Sequence, residues 1–219
     1  MTDPDVPAPP PAPSAVATRR GDDGTTGLLF GGDRIAKDDV RTEAYGTIDE
    51  AVAALGLARA ELGREGAGLE LAVGDLGAIV LGIQRDLFVA AAELATQRAA
   101  WDRQVGGVSR VTAPMVARID TMLHAAEASI VMPTEFVVPG ETVVSAAIEL
   151  ARTIVRRAER RAVRLGAEGL IPGPHLLPYL NRLADLLWVL ARAAEQAEAR
   201  SAPPSRPDRR RAAVTRSER

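Results

Sequence analysis

Val143-Val144-Ser145-Ala146-Ala147-Ile148-Glu149-Leu150-Ala151-Arg152-Thr153-Ile154-Val155-Arg156-Arg157-Ala158-Glu159-Arg160-Arg161-Ala162-Val163-Arg164-Leu165 is the stretch that decides the fold. Ala147, Ile148, Ala151, Ile154, Val155, Ala158 and Ala162 recur every three or four residues, the spacing at which side chains share one face of an α-helix. The period predicts a long helix over 143–165 with one apolar seam and a strongly cationic remainder. Alternating patterns of the kind that make strands are nearly absent from the whole chain.

The same period recurs on both sides. Thr47-Ile48-Asp49-Glu50 reads as a capping box, with Thr47 as N-cap and Glu50 reaching back to it. It opens a first helix whose apolar face is Ala51, Val52, Leu55 and Ala58. A second helix carries Leu76, Ile79, Val80, Ile83, Leu87, Ala91 and Leu94. Thr112 and Pro114 open a third with Val116, Ile119, Leu123 and Ala126. A fifth, over 177–199, carries Leu180, Leu183, Leu187 and Leu190. Alanine is abundant on these faces, so the helices can approach closely. The expectation is an all-α, up-and-down bundle of about five helices occupying residues 18–200. Residues 1–17, with Pro7-Ala8-Pro9-Pro10-Pro11-Ala12-Pro13, read as a disordered proline-rich arm. Residues 201–219, with Arg209-Arg210-Arg211, read as a disordered, solvated basic tail.

Composition removes several classes of function. A net charge of −2 gives no global basic field for nucleic acid. The absence of cysteine excludes thiolate nucleophiles, disulfides and Cys-ligated metals, and fits a reducing, cytoplasmic setting. His124 and His175 are the two histidines, far apart and without ligand partners nearby, which argues against a His metal site or a Ser-His triad. No apolar run approaches a membrane span, and the proline-rich start is not a secretory signal.

Several residues stand outside the core logic. Thr18-Arg19-Arg20-Gly21-Asp22-Asp23-Gly24-Thr25-Thr26, followed by Lys37-Asp38-Asp39, combines glycines, cations and hydroxyls in a segment too polar for core. Glycines let backbone N–H groups close on an anion, arginines neutralise it, and threonine hydroxyls add donors. That suits a polyphosphate, although the Walker spacing is missing; an ordinary surface turn is the competing reading. Lys37 is the only lysine in a chain rich in arginine. On the 143–165 helix, Arg152, Arg156 and Glu159 form one stripe, with Arg157, Arg160, Arg161 and Arg164 around it. Such a run is either a solvated face or an anion pocket at a helix–helix or subunit junction. On the fifth helix Asn181, Asp185 and Trp188 form another stripe, and Asn and Asp are poor interior helix formers. Asn181 is either a cap or the partner of a residue on another helix. Asp49 either complements the helix dipole or pairs with Arg152. Phe136, in a loop bounded by Pro133 and Pro139, is either a core plug or an aromatic wall for a bulky ligand.

These residues, with Glu43-Ala44-Tyr45-Gly46-Thr47-Ile48-Asp49-Glu50, Phe136-Val137-Val138-Pro139-Gly140, Ala151-Arg152 to Arg161 and Tyr179-Leu180-Asn181-Arg182-Leu183-Ala184-Asp185, fall in an order that resembles a known family. Over about residues 16–192 the chain resembles the ATP:cob(I)alamin adenosyltransferases of the propanediol-utilisation type. The resemblance implies a ferritin-like five-helix bundle assembled as a cytoplasmic homotrimer, with active sites between subunits. It also implies transfer of the 5′-deoxyadenosyl group of ATP, with Mg²⁺, to cob(I)alamin, releasing triphosphate. By carry-over, Thr18, Arg19, Arg20, Gly21, Thr26, Gly27 and Lys37 line the phosphates. Arg156, Arg157, Glu159, Arg160 and Asn181 complete that site from the neighbouring subunit. Arg152 pairs with Asp49 across the interface, Asp185 supports the arginine helix, and Phe136 excludes the lower axial ligand of cob(II)alamin before reduction. No protein-bound metal is implied. The partners implied are a flavin or flavoprotein reductant and an adenosylcobalamin-dependent enzyme, with neither nucleic acid nor membrane.

The chain departs from the family at Arg20, where Thr is common, in Ala15-Val16-Ala17, and by an extra residue within Gly27-Leu28-Leu29-Phe30-Gly31-Gly32. A non-catalytic nucleotide- or corrinoid-binding escort with the same bundle is the alternative. The joint presence of Asp49, Arg152, Arg156 and Asn181 argues against it. A helical scaffold for acidic proteins leaves the glycine-threonine segment unexplained.

Overall fold

The computed structural model describes residues 14, 16–64 and 68–198. The tails expected over 1–17 and 201–219 lie outside the described residues, apart from 14, 16 and 17. Five long helices carry the fold: α1 (Val40–Arg64), α2 (Leu76–Leu94), α3 (Ala113–Ala128), α4 (Val143–Ala167) and α5 (Leu176–Ala197). A two-residue strand pair, β1 (Thr25–Thr26) with β2 (Ile35–Ala36), precedes α1; a second, β3 (Glu70–Leu71) with β4 (Gly74–Asp75), leads into α2; and a 3-10 helix (Arg98–Arg103) follows α2.

Contacts between the helices give their directions. Arg157 and Arg161 on α4 reach Glu50 and Glu43 on α1, so these two run antiparallel. Asn181 meets Glu159 and Arg192 meets Glu149, so α5 runs back along α4. Arg41 meets the end of α2 and Gln84 the middle of α1, so α2 runs against α1; Arg182 meets Asp120 and Gln196 meets Val131 just past α3, so α3 runs parallel to α5. Direction therefore alternates from each helix to the next, the up-and-down bundle expected from the sequence.

Alanine explains the closeness of α1 and α4. Ala44, Ala51 and Ala58 on one, and Ala147, Ala151, Ala158 and Ala162 on the other, are all buried, interleaved with Ile48, Leu55, Ile148 and Val155. Small side chains let larger neighbours fill the seam, each buried aliphatic contributing about 1.5–3 kcal/mol. One hydrophobic cluster runs through all five helices.

The helix starts are chemically marked. Thr142 and Ser145 form a reciprocal capping box at α4, and Asp75 accepts from the Ala78 N–H at 2.7 Å at α2. The expected start of the first helix is corrected. Thr47 is no cap: α1 begins at Val40, where Asp39 accepts from the Arg41 N–H at 2.8 Å. Thr47 is a buried mid-helix residue whose hydroxyl donates to the Glu43 carbonyl at 2.6 Å. The T-x-x-E pattern is the same in both settings; the Asp39 cap two turns earlier had the stronger chemistry and won. Gly169, at φ +68°, ends α4 with Leu170 N–H closing onto the Leu165 carbonyl.

Candidate functional site

The loop after α3 and the facing sides of α4 and α5 enclose a cleft of about 830 Å³. Its lining includes Phe136, Arg152, Arg156 and Asp185, four residues separated by up to 49 positions in the chain and all singled out by sequence, together with Pro133, Glu149 and Trp188. Phe136 is 88% exposed. The core-plug reading is thereby overturned: Pro133 and Pro139 hold the loop outside the bundle, and the ring forms part of an open wall.

The arginine run of α4 divides by helical phase. Arg157 and Arg161 face α1. Arg157 pairs with Glu50, while Arg161 pairs with Glu43 at 2.6 Å, donates to its carbonyl at 2.9 Å and bonds the Thr47 hydroxyl. Such half-exposed pairs are worth about 0–1 kcal/mol each and chiefly fix orientation. Arg152, Arg156 and Glu159 face α5 instead. Glu159 Oε1 accepts from Nδ2 of Asn181 at 3.0 Å. This settles the two readings of Asn181: α5 begins at Leu176, so Asn181 is interior and bonded across the seam rather than a cap. Arg156 is exposed, and among the described residues its guanidinium has no hydrogen bond or ion pair, although its carbonyl accepts from Arg160 at 3.1 Å. A cation left free beside an open cleft can take an anion without first breaking a partner.

Arg152 is paired within its own chain: its Nε donates to Glu149 at 2.6 Å. Asp49 is exposed on α1, and among the described residues no contact joins it to Arg152. Within one chain the Asp49–Arg152 pair is therefore not made. Asp185 lines the cleft without a bond to the arginines of α4.

The polar segment before α1 folds back on itself. Asp23 accepts from the backbone N–H and the hydroxyl of Thr25 at 2.9 and 2.7 Å, and these bonds lower its carboxyl below the usual range, the hydroxyl contributing most. Arg34, which sequence reasoning missed, is the clasp: Nε donates to the Thr25 hydroxyl at 2.7 Å, and Nη2 to the carbonyls of Arg20 and Thr25 at 2.6 and 3.0 Å. Lys37 is drawn over Gly21, where an added Cβ would come 2.9 Å from Nζ and 3.1 Å from the Thr25 carbonyl oxygen, so a larger residue there would push the ammonium aside. Arg19 takes a left-handed φ of +58°. Thr18, Arg20, Thr26 and Gly27 share this segment, and its far side is tied to the end of α2 by Leu29 N–H to the Ala95 carbonyl at 2.9 Å and Gln97 Nε2 to the Gly31 carbonyl at 2.8 Å.

No hydrogen bond or ion pair among the described residues joins this segment to Arg152, Arg156 or Asn181. It lies at the end of α1 where Arg161 meets Glu43, and the rise from Arg161 back to Arg152 is about 14 Å. Among the described residues the polar segment and the cleft are thus two separate regions of one chain. Arg34 and Glu149 are the residues sequence reasoning passed over. Arg34 gave no local signal, because its partners lie up to 14 residues away; Glu149 did, as an E-x-x-R pair with Arg152 on one helix face.

The family model described as cobalamin adenosyltransferase matches residues 16–194. A cobalamin adenosyltransferase of Cupriavidus metallidurans is 39% identical over 185 residues, covering 84% of this chain and 90% of that protein. The corrinoid adenosyltransferase PduO of Salmonella typhimurium is 35% identical over 182 residues, covering 83% of this chain and 50% of that one. Among solved structures, a variant of the PduO-type ATP:corrinoid adenosyltransferase of Lactobacillus reuteri complexed with cobalamin and ATP superposes with a TM-score of 0.72 at 27% identity, covering 87% of this chain and 98% of that one.

Proposed function

The chain belongs to the cobalamin adenosyltransferase family, and from that premise we propose how its residues perform the reaction. It is a PduO-type corrinoid adenosyltransferase, transferring the 5′-deoxyadenosyl group of ATP to cob(I)alamin. The Co(I) electron pair forms a bond to C5′ as the C5′–O bond breaks, and triphosphate leaves with that bond's electrons. Because the corrinoid supplies the nucleophile, the protein needs no catalytic base; it must orient ATP, stabilise the leaving group and exclude water.

The observation that carries this reading is the convergence of Phe136, Arg152, Arg156, Asp185 and Trp188 on one cleft large enough for part of a macrocycle. The corrinoid takes the Phe136 side. There the exposed ring displaces the lower axial ligand of cob(II)alamin, which raises the reduction potential and brings the electron from a flavin or flavoprotein within reach. ATP takes the polar segment, with Arg19, Arg20, Lys37 and the hydroxyls of Thr18 and Thr26 about its phosphates and Gly21 and Gly27 allowing close backbone approach. Mg²⁺ travels with the triphosphate, and a segment offering hydroxyls and N–H groups suits a metal held by phosphate oxygens. Arg156, Arg160, Glu159 and Asn181 complete the nucleotide site; Arg157 joins them only by leaving Glu50.

Two half-sites on one chain make the assembly part of the proposal. In a cytoplasmic homotrimer the segment of one subunit meets the cleft of its neighbour, and Asp49 reaches the two Nη groups of Arg152 that Glu149 leaves unpaired. The product then passes to an adenosylcobalamin-dependent enzyme. The test is to mix the protein with chemically reduced cobalamin and MgATP and to follow the adenosylcobalamin spectrum together with triphosphate release. Stoichiometric formation of both is expected. Corrinoid and ATP binding without turnover would identify a non-catalytic carrier instead.

A further inference from the structure

Behind the cleft, α4 and α5 bury charged side chains that the reaction outlined above does not use. Arg192 is 1% exposed, Glu195 1% and Glu149 4%. Nη2 of Arg192 donates to Glu195 at 2.7 Å, and its Nη1 lies 3.4 Å from Oε1 of Glu149. The other Glu149 oxygen accepts from Nε of Arg152 at 2.6 Å. The Arg192 guanidinium also lies against the ring of Trp188, 5.8 Å from its centroid.

Stability does not account for this arrangement. Buried ion pairs rarely improve on well-packed apolar side chains, and this seam is otherwise largely apolar. Nε and Nη1 of Arg192 make no hydrogen bond, so the network is not even fully satisfied. What the network does is end, on both sides, at the cleft: Arg152 at one end and Trp188 at the other are lining residues, whereas Arg192 and Glu195 are not.

We propose that Glu149 and Arg192 are positioning residues for the corrinoid. Glu149 holds Arg152 by its Nε; Arg192 steadies Glu149 on one side and the Trp188 ring on the other, and Glu195 neutralises Arg192. The macrocycle then meets a wall whose cation and aromatic plane are set before binding. This inference rests on the reading of the cleft as the corrinoid site.

The experiment uses Glu149→Gln and the double variant Arg192→Leu/Glu195→Leu in the full chain. The probes are KM for ATP, KM for cobalamin, and quenching of tryptophan fluorescence by cob(II)alamin, read in a Trp101→Phe background so that Trp188 is the emitter. Glu149→Gln is expected to leave KM for ATP unchanged and to raise KM for the corrinoid about tenfold or more, since small misplacements of binding groups carry such penalties. The quenching curve should shift by the same factor. The double variant removes the buried Arg192–Glu195 pair together, leaves Glu149 with Arg152, and should melt at or above the wild-type temperature, yet show the corrinoid defect. A double variant with wild-type corrinoid KM would overturn the proposal. So would a folded Glu149→Gln with unchanged KM, or losses that track unfolding and touch both substrates equally. If wild-type protein itself does not bind cob(II)alamin, it is the reading of the cleft that fails.

Discussion

Replacing Phe136 by alanine separates a role in binding from a role in folding, and the structure sets the scale of each. A Phe removed from a well-packed core costs about 3–5 kcal/mol. Phe136 is 88% exposed, so about one-eighth of its surface is withdrawn from water. With about 1.5–3 kcal/mol for full burial of such a side chain, the stability at stake is about 0.2–0.4 kcal/mol. At 2–4 °C per kcal/mol for a domain of this size, the melting temperature should move by about 1 °C. Activity should respond quite differently. With the aromatic wall gone, the lower ligand stays on cob(II)alamin, and the four-coordinate Co(II) signal in the presence of MgATP should vanish. Turnover from cob(II)alamin should collapse, while cobalamin already reduced to Co(I) should recover part of the rate because the difficult electron transfer has been bypassed. A melting temperature lowered by many degrees, together with a normal four-coordinate signal, would refute the reasoning.

Arg156→Ala should keep the fold, since the guanidinium has no partner to lose, and should weaken ATP binding by about 1.5–3 kcal/mol, read by calorimetry; unchanged affinity would remove Arg156 from the site. Asp49→Ala and Arg152→Ala should each weaken the assembly or its activity by about 3–5 kcal/mol if the two pair across subunits, with coupling in a double-mutant cycle. A merely exposed Asp49 would instead cost within about 0.5 kcal/mol. Glu93 is fully buried and burial raises its carboxyl above the usual range, offset by the Val111 N–H and by Arg110. A raised value means stability that is complete below the ordinary carboxylate range and lost as pH rises through the raised value. Glu93→Gln should therefore gain on wild type in denaturant midpoint as pH increases across that window, and parallel curves would contradict it.

The bundle was legible in the sequence because each helix carries an apolar face at helical spacing. α2 and α4 start at Leu76 and Val143, where the apolar period begins, and α3 starts directly after Thr112, while the Asp75 and Thr142 caps emerged only from the structure. The first helix was misjudged because a Thr followed by Glu three residues later looks the same at a helix start and in its interior; only the tertiary burial of Thr47 separates them. Phe136, Arg152, Arg156 and Asp185 were found as residues that helix or core logic could not explain, and they converge. Periodicity alone did not divide the arginines by partner, since Arg156 and Arg157 differ by one position in sequence and by about 100° around the helix axis. Arg34 was invisible for the opposite reason: its function is a set of long-range bonds to backbone carbonyls, which leave no mark on residue type.

Lys37 gives the molecule an unusual chemical address. It is the single lysine in the chain, and its ammonium stands above Gly21 in the polar segment before α1. Amine-directed reagents, which scatter over most proteins, have here one side-chain target and the chain terminus. With no cysteine present, a thiol introduced anywhere else would be equally unique. A donor dye on Lys37 and an acceptor on an engineered thiol beside the Phe136 loop would act as a molecular ruler between the polar segment and the cleft, with no background from other side chains.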